Sequence, residues 1–177
     1  MRKRILLADD DDSVRGSLRQ ALEMEGFTVL PARNGTEALA LAAASQMDLA
    51  LLDLNMPVLN GWDTFEQLSR EHPLLPVIIV TARPNQLFPA LGAGVGALLE
   101  KPVDIPFLVQ TMNRLLSEPR EVRLARLAGR SVEFAYAPSG TTGAGALDKL
   151  GPHSAVKPGA GTSTKLGAGG PSSGPAS

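Results

Sequence analysis

Acidic side chains follow two short apolar stretches of the sequence. Asp9 and Asp10 come directly after residues 5–8, and Asp53 ends the apolar run of residues 49–53. Carboxylates that crowd together raise one another's pKa unless a cation neutralises them. Oxygen ligands of this kind suit Mg²⁺. If the fold brings the two points together, the sequence predicts a Mg²⁺ site there.

A hydroxyl and a cation follow two other apolar runs. Thr81 comes after residues 77–80, and Lys101, a mobile point charge, comes shortly after residues 97–99. With a bound metal ion, these groups could hold a phosphoryl group while one carboxylate attacks it. Phosphoryl transfer depends mainly on positioning and on neutralisation of charge. The residue types therefore favour phosphoryl-transfer chemistry.

The elements that must position these groups alternate along the chain. The apolar patterns predict five strands, at residues 5–8, 28–32, 49–53, 77–80 and 97–99. Between and after them we predict helices at residues 13–25, 34–45 with Asn34 as the cap, 62–71, 84–91 and 104–116 with Asp104 as the cap. Such alternation predicts a doubly wound α/β fold, with a parallel sheet covered by helices on both faces. Sites in such sheets lie beyond the carboxyl ends of the strands, where the four polar points fall.

Composition divides the chain into three parts. We predict a folded domain over residues 1–117, a helix extension or linker over residues 118–136, and a disordered Gly-, Pro-, Ser- and Ala-rich tail over residues 137–177. The formal net charge of −1 gives no general electrostatic case for nucleic acid or an anionic membrane. The absence of cysteine excludes disulfides, thiolate metal sites and cysteine nucleophiles. With no apolar stretch long enough to cross a membrane, we expect a soluble, cytoplasmic protein.

Four short segments resemble the receiver domains of two-component response regulators. They are residues 5–10, residues 52–57 with Gly61 following, residues 80–82 and residues 100–102, in the order the family has them. The resemblance covers about residues 3–117. It implies a flavodoxin-like sheet of five parallel strands in the order 2-1-3-4-5.

The resemblance also implies roles for individual residues. Asp53 matches the phosphoacceptor of the family. Asp10 and Asp53 match the side-chain ligands of Mg²⁺, while Asp9 would hold a metal-bound water and Asn55 would give its backbone carbonyl. Thr81 matches the switch hydroxyl that moves toward the phosphoryl group.

The lysine of the site and the partners follow from the same resemblance. Lys101 would bind a phosphoryl oxygen, and its bond to Pro102 would be cis. The phosphoryl donor would be a sensor histidine kinase or a phosphotransfer protein. Members of the family catalyse only their own phosphorylation and dephosphorylation, so we expect a switch and not an enzyme.

Two residues depart from the family pattern. Leu98 stands where receivers usually place Tyr or Phe, whose ring follows the switch threonine. Pro89 lies inside the predicted fourth helix, so we expect that helix to be short or distorted.

This region is the common dimer and partner face of the family, so a phosphorylation-dependent homodimer remains open. Arg83, two positions after Thr81, is a candidate for tuning the dephosphorylation rate.

Three functions remain open after these observations. We favour a phosphorylation switch without an effector domain, which signals through contact with a downstream protein. The alternatives are a DNA-binding transcription regulator and a receiver-fold interaction scaffold that no longer switches.

Other charged residues fit structural roles. Asp11 and Asp12 fit helix capping. Four arginines, Arg120, Arg123, Arg126 and Arg130, fit the solvated face of a helix extension or a partner-docking segment.

Overall fold

The computed structural model describes residues 1–130 and 132–139. Its strands are β1 (Arg4–Ala8), β2 (Thr28–Ala32), β3 (Leu49–Leu52), β4 (Val77–Thr81), β5 (Ala97–Glu100) and β6 (Ala135–Ala137). Its helices are α1 (Asp12–Met24), α2 (Gly35–Ala44), α3 (Gly61–Glu71), α4 (Leu87–Ala93), α5 (Ile105–Ser117) and α6 (Arg120–Leu127). The first five strands and five helices are those that the sequence predicts, with bounds that mostly shift by one residue.

All strands run parallel in one sheet with the order β2-β1-β3-β4-β5-β6. The predicted order 2-1-3-4-5 is confirmed, and β6 extends the sheet beyond β5. Because β3 ends at Leu52, Asp53 lies just past the strand end. Parallel strands with the same direction place all their carboxyl ends at one edge of the sheet. That edge positions the polar residues singled out above.

The core has two layers, one on each face of the sheet. Helices α1 and α5 pack on one face, and α2, α3 and α4 pack on the other. Every residue of β3 and β4 is buried. Full burial of a leucine or isoleucine side chain contributes about 1.5–3 kcal/mol. This apolar sheet is the rigid support for the loops at its carboxyl edge.

The predicted helix caps are confirmed by hydrogen bonds. The Asn34 side chain accepts from the backbone N–H of Glu37, and the Asp104 side chain accepts from the backbone N–H of Phe107. Asp11 caps α1 by accepting from the N–H groups of Ser13 and Val14. These bonds satisfy donors that the first turn of a helix leaves free.

Helix α4 is short, as expected, but Pro89 does not interrupt it. The helix spans seven residues and begins at Leu87, three residues later than predicted. Pro89 is therefore its third residue, where a backbone N–H has no partner within the helix. The Ala90 N–H that follows already bonds to the Gln86 carbonyl at 2.9 Å.

The sequence predicts a helix extension or linker over residues 118–136 and a disordered tail from residue 137; the described residues of this region are 118–130 and 132–139. They form α6, which starts after Pro119, and the edge strand β6. Arg123 and Arg126 of α6 are not on a solvated face. Arg126 is 6% exposed and pairs with the buried carboxylate of Glu118, and Arg123 donates to two backbone carbonyls, those of Leu74 and Leu115.

The rest of the expected disordered tail, residues 140–177, lies outside the described residues. Within the described part of the chain, the helices fall short of the length and apolarity needed to cross a membrane.

Gly61 offers a test of how closely the carboxyl edge is packed. A Cβ at this position would lie 2.2 Å from the Asp53 carbonyl oxygen and 2.7 Å from the Leu54 Cα. Both are backbone atoms, so Gly61→Ala should lower the free energy of unfolding by about 1–3 kcal/mol in urea titrations. Gly16→Ala is the matched control, because within the described chain a Cβ there would have no atom within 4 Å apart from its chain neighbours and the backbone of its own helix. It should stabilise α1 by up to about 1 kcal/mol. Equal stability of the two variants would contradict close packing at Gly61.

Candidate functional site

The carboxyl ends of β1 and β3 bring three carboxylates together. Ala8 is the cross-strand partner of Leu52, and the Asp53 N–H donates to the Ala8 carbonyl at 2.8 Å. Asp9 and Asp53 are 1% and 4% exposed, whereas Asp10 is exposed. Each of the three offers an oxygen, and these oxygens lie within 4.8 Å of one another. The predicted meeting of the two acidic points is therefore confirmed.

Lys101 places a positive charge between the two buried carboxylates. Its Nζ lies 2.8 Å from Asp9 Oδ2 and 3.3 Å from Asp53 Oδ2. The other oxygen of Asp9 accepts from the Asp11 N–H at 3.0 Å. Asp53 Oδ1 is buried and has no hydrogen-bond partner among the described residues. The Lys101–Pro102 peptide is cis, as the resemblance implied.

Burial and charge act in opposite directions at this site. Burial raises the pKa of the Asp53 carboxyl above its ordinary value, although the charge of Lys101 opposes this. Burial alone would lower the pKa of Lys101, but the hydrogen bond to Asp9 and the charge of Asp53 raise it. Lys101 therefore stays protonated, and one cation faces two buried carboxylates.

The donor set fits Mg²⁺. It consists of oxygen atoms alone, which suits a hard cation. One of these atoms, Asp53 Oδ1, is a buried acceptor without a partner among the described residues. The exposed Asp10 adds a third carboxylate on the solvent side, so the negative charge exceeds what Lys101 neutralises. A divalent cation would correct both deficits.

Thr81 lies at the end of β4, between the strands that carry the carboxylates and the lysine. It is fully buried, and its Oγ1 accepts from the Arg83 N–H at 3.0 Å. The Lys101 N–H donates to the Thr81 carbonyl at 2.9 Å. Because Oγ1 acts as an acceptor toward Arg83, its own proton remains able to donate toward the site.

Arg83 also reaches Asn55, at the opposite side of the site entrance. Its Nη2 donates to Asn55 Oδ1 at 3.2 Å. The position of Arg83, two residues after Thr81, indicates that it lies near the site, but no spacing in the sequence indicates its contact with Asn55. Arg33 also follows a strand, but it does not join this contact; it forms an exposed ion pair with Glu37, four residues later.

An aromatic side chain lies beside Leu98, but it comes from β6. Leu98 is fully buried, and its cross-strand partner is Tyr136. The Tyr136 hydroxyl donates to Glu100 Oε1 at 2.8 Å, and the Ser139 N–H donates to Glu100 Oε2 at 3.0 Å. These bonds hold the pKa of Glu100 below its usual range, and burial together with the bond to Glu100 raises the pKa of Tyr136 to about 12. No periodic pattern in the sequence indicates this cluster.

A family model described as the response regulator receiver domain matches residues 5–113. The chain belongs to this family. It is 44% identical over 115 residues to the transcriptional regulatory protein CpxR of Klebsiella pneumoniae, covering 64% of this chain and 49% of that protein. It is 39% identical over 118 residues to the response regulator MprA of Mycobacterium ulcerans, covering 66% and 51%. The chain thus spans about half the length of the curated relatives it matches.

Solved receiver domains share the fold. A CheY-like receiver domain protein from Methanospirillum hungatei has a TM-score of 0.64 and 32% identity, over 68% of this chain and 98% of that one. The response regulator TrrA from Thermotoga maritima, solved in complex with Mg²⁺ and BeF, has a TM-score of 0.60 and 26% identity, over 64% and 98%. Receiver domains bind Mg²⁺ at an acidic cluster, and in this receiver Asp9, Asp10 and Asp53 form one.

The raised pKa of Asp53 predicts a pH-dependent cost of folding. Well below pH 3.8, the ordinary pKa of the group, the carboxyl is protonated in both the folded and the unfolded state and costs nothing. As the pH rises, the unfolded carboxyl ionises first, so stability falls until the folded carboxyl has ionised as well. Asp53→Asn should therefore be more stable than wild type near pH 7 in EDTA, by roughly 1–2 kcal/mol.

Urea titrations at pH 7 and near pH 4 check this difference, which should shrink at the lower pH. The control is Asp12→Asn, since Asp12 is exposed and pairs with Arg15 at the start of α1. Loss of a charge at a helix N-terminus should make that variant slightly less stable, by about 0.3–1 kcal/mol. A destabilised Asp53→Asn at pH 7 would contradict the assigned pKa direction.

Proposed function

We propose that this receiver accepts a phosphoryl group on Asp53 and that the modification switches its contacts with other proteins. The observation that carries this proposal is the state of the Asp53 carboxylate. It is buried at the carboxyl edge of the sheet, with one oxygen facing Lys101 and the other without a partner among the described residues. A buried oxygen without a hydrogen bond lowers the stability of the fold. A role as the phosphoacceptor would explain why the protein keeps it.

The reaction we infer is an in-line displacement at phosphorus. A carboxylate oxygen of Asp53 forms a bond to the phosphorus while the phosphorus–nitrogen bond of a donor phosphohistidine breaks, and the imidazole leaves with the electron pair. Lys101 neutralises a phosphoryl oxygen, and the Thr81 hydroxyl donates a hydrogen bond to another. Attack of water on the same phosphorus later restores the Asp53 carboxylate and releases inorganic phosphate. No other catalytic activity is inferred.

Residues of the acidic cluster would hold Mg²⁺ during this transfer. Asp10 and Asp53 would provide side-chain oxygens, Asn55 its backbone carbonyl, and Asp9 would hold a water of the ion. When bound, Mg²⁺ supplies positive charge that offsets the charge on the phosphoryl oxygens. Asp9 also keeps Lys101 beside the site through its 2.8 Å contact.

The partners follow from the chemistry of the donor and the receiver. Receiver domains of response regulators interact with histidine kinases or phosphotransfer proteins, so one of these would provide the phosphoryl group in the cytoplasm. The output would be contact with a downstream protein, or a homodimer formed on phosphorylation. Arg83, which bonds both Thr81 and Asn55, is placed to slow the entry of water and so to set the lifetime of the modified state.

Labelling of Asp53 tests the proposal. Incubation of the full chain with Mg²⁺ and acetyl phosphate should add one phosphoryl group, seen as a mass shift in intact-protein mass spectrometry. Asp53→Asn should remove the shift because the amide is a poor nucleophile. Asp12→Asn, a matched change at an exposed carboxylate nearby, should leave it intact, and omission of Mg²⁺ should reduce it by about tenfold or more. Equal labelling of wild type and Asp53→Asn would refute the assignment.

A transcriptional role is the second candidate, favoured by the name of the relative CpxR. This chain spans 49% of that protein, and α6 and β6 are the elements described after residue 117. Since the four arginines of this segment include two that are engaged in internal contacts, little basic surface is left there for phosphate groups. We therefore expect the described residues 118–130 and 132–139 to contribute no sequence-specific shift of promoter DNA in gel electrophoresis, with or without acetyl phosphate. A shift that survives excess nonspecific DNA would establish this second function instead.

A further inference from the structure

Strand β6 joins the sheet beside the strand that carries the lysine of the site. It pairs with β5 from Ala97↔Ala135 to Leu99↔Ala137. Because side chains alternate along a strand, Leu98, Glu100 and Tyr136 lie on the same face of the sheet. Thr81, the cross-strand partner of Glu100 on β4, lies on that face too. The C-terminal extension, residues 118–130 and 132–139, therefore contacts Glu100, which is the cross-strand neighbour of Thr81.

Both oxygens of Glu100 hold the extension. One accepts from the Tyr136 hydroxyl and the other from the Ser139 N–H. Glu100 directly precedes Lys101, and the Lys101 N–H is bonded to the Thr81 carbonyl. A backbone shift of Thr81 or Lys101 toward a phosphoryl group would therefore be transmitted to the backbone that carries Glu100.

The two ends of the extension are held differently. At its start, the buried pair of Arg126 and Glu118 fixes α6, and Arg123 donates to the carbonyls of Leu74 and Leu115. At its end, the three residues of β6 form an edge strand, held by pairing with β5 and by the bonds to Glu100. Ala135 and Ala137 of β6 are buried, but an alanine side chain buries little apolar area, so a three-residue edge strand opens at a lower free-energy cost than the central strands. The end of the extension can thus move while its start stays in place.

We propose that β6 is a movable part of the switch, held on β5 by Glu100 through Tyr136 and Ser139, and that phosphorylation of Asp53 loosens it. This inference rests on the proposed function of Asp53. The direction follows from the state described here, in which both oxygens of Glu100 are already bonded, so the change left to this contact is release. Tyr136 then acts as a positioning residue, and it supplies the aromatic side chain that Leu98 lacks. A released β6 would expose the edge of β5 at the face where receivers usually contact partners.

Amide hydrogen exchange of the full chain, with and without Mg²⁺ and beryllium fluoride as a phosphoryl mimic, tests the proposal. The mimic should speed exchange in residues 135–139 by at least about fivefold, a modest allosteric coupling. Asp53→Asn should abolish the effect. The comparison of wild type with and without the mimic does not depend on the stability of any variant.

The reciprocal measurement uses the Glu100 contact itself. Glu100→Gln keeps the side-chain length but removes the charge, so residues 135–139 should exchange rapidly without the mimic. Linkage then requires that this variant bind beryllium fluoride more tightly, by the same factor by which binding loosens β6 in wild type. Tyr136→Phe, which keeps the ring and loses the hydroxyl, should change both measurements in the same direction. Glu121→Gln, an exposed change on α6, is the matched control and should behave as wild type.

The outcomes separate this inference from the proposed function. If the mimic changes exchange near Asp53 and Thr81 but not in residues 135–139, β6 is only structural and the inference is wrong. The same conclusion follows if Glu100→Gln binds the mimic as wild type does. If exchange near Asp53 does not respond to the mimic, the proposed function fails and this inference fails with it.

Discussion

Lys101 shares one positive charge between two buried carboxylates, and the architecture of the carboxyl edge follows from that requirement. Asp9 and Asp53 end neighbouring strands, whereas Lys101 follows β5, two strands away from β3. Its four-carbon side chain must therefore cross the end of β4 to reach them, and β4 ends in the short side chain of Thr81, which leaves room for the crossing. The remaining negative charge, together with the exposed Asp10, makes the edge a receptor for one more cation.

The five-stranded fold and the acidic site could be predicted because both depend on local patterns. Strands buried on both faces of a parallel sheet consist of continuous apolar runs, and polar residues directly after such runs must meet at one edge. The individual contacts within the site could not be predicted from the sequence. The burial of Asp53 Oδ1 and the bridge from Arg83 to Asn55 depend on loop geometry, which no spacing rule gives.

The edge strand and the buried arginines of the C-terminal extension could not be predicted because they break those patterns. Strand β6 is Ala-Tyr-Ala, too short for a recognisable alternation, and it forms through backbone pairing with the free edge of β5. In α6 the buried residue is an arginine, whose charge the buried Glu118 compensates. A pattern of basic residues is ordinarily a solvated face, and only the three-dimensional pairing shows otherwise. Composition alone therefore does not show that the described residues after 117 pack against the receiver domain.

The energy of the Glu100 contact is of the size that a switch can use. Hydrogen bonds to a charged group contribute about 1.5–3 kcal/mol when buried, and partial exposure of Glu100 and Tyr136 reduces this, so the two bonds together contribute on the order of 1–3 kcal/mol. Allosteric couplings are typically about 1–3 kcal/mol. The Arg126–Glu118 pair at the other end of the extension is buried, and removal of one partner of such a pair costs about 3–5 kcal/mol. Loss of the Glu100 bonds is thus a smaller change in free energy than detachment of α6, which favours movement of the last strand over movement of the helix.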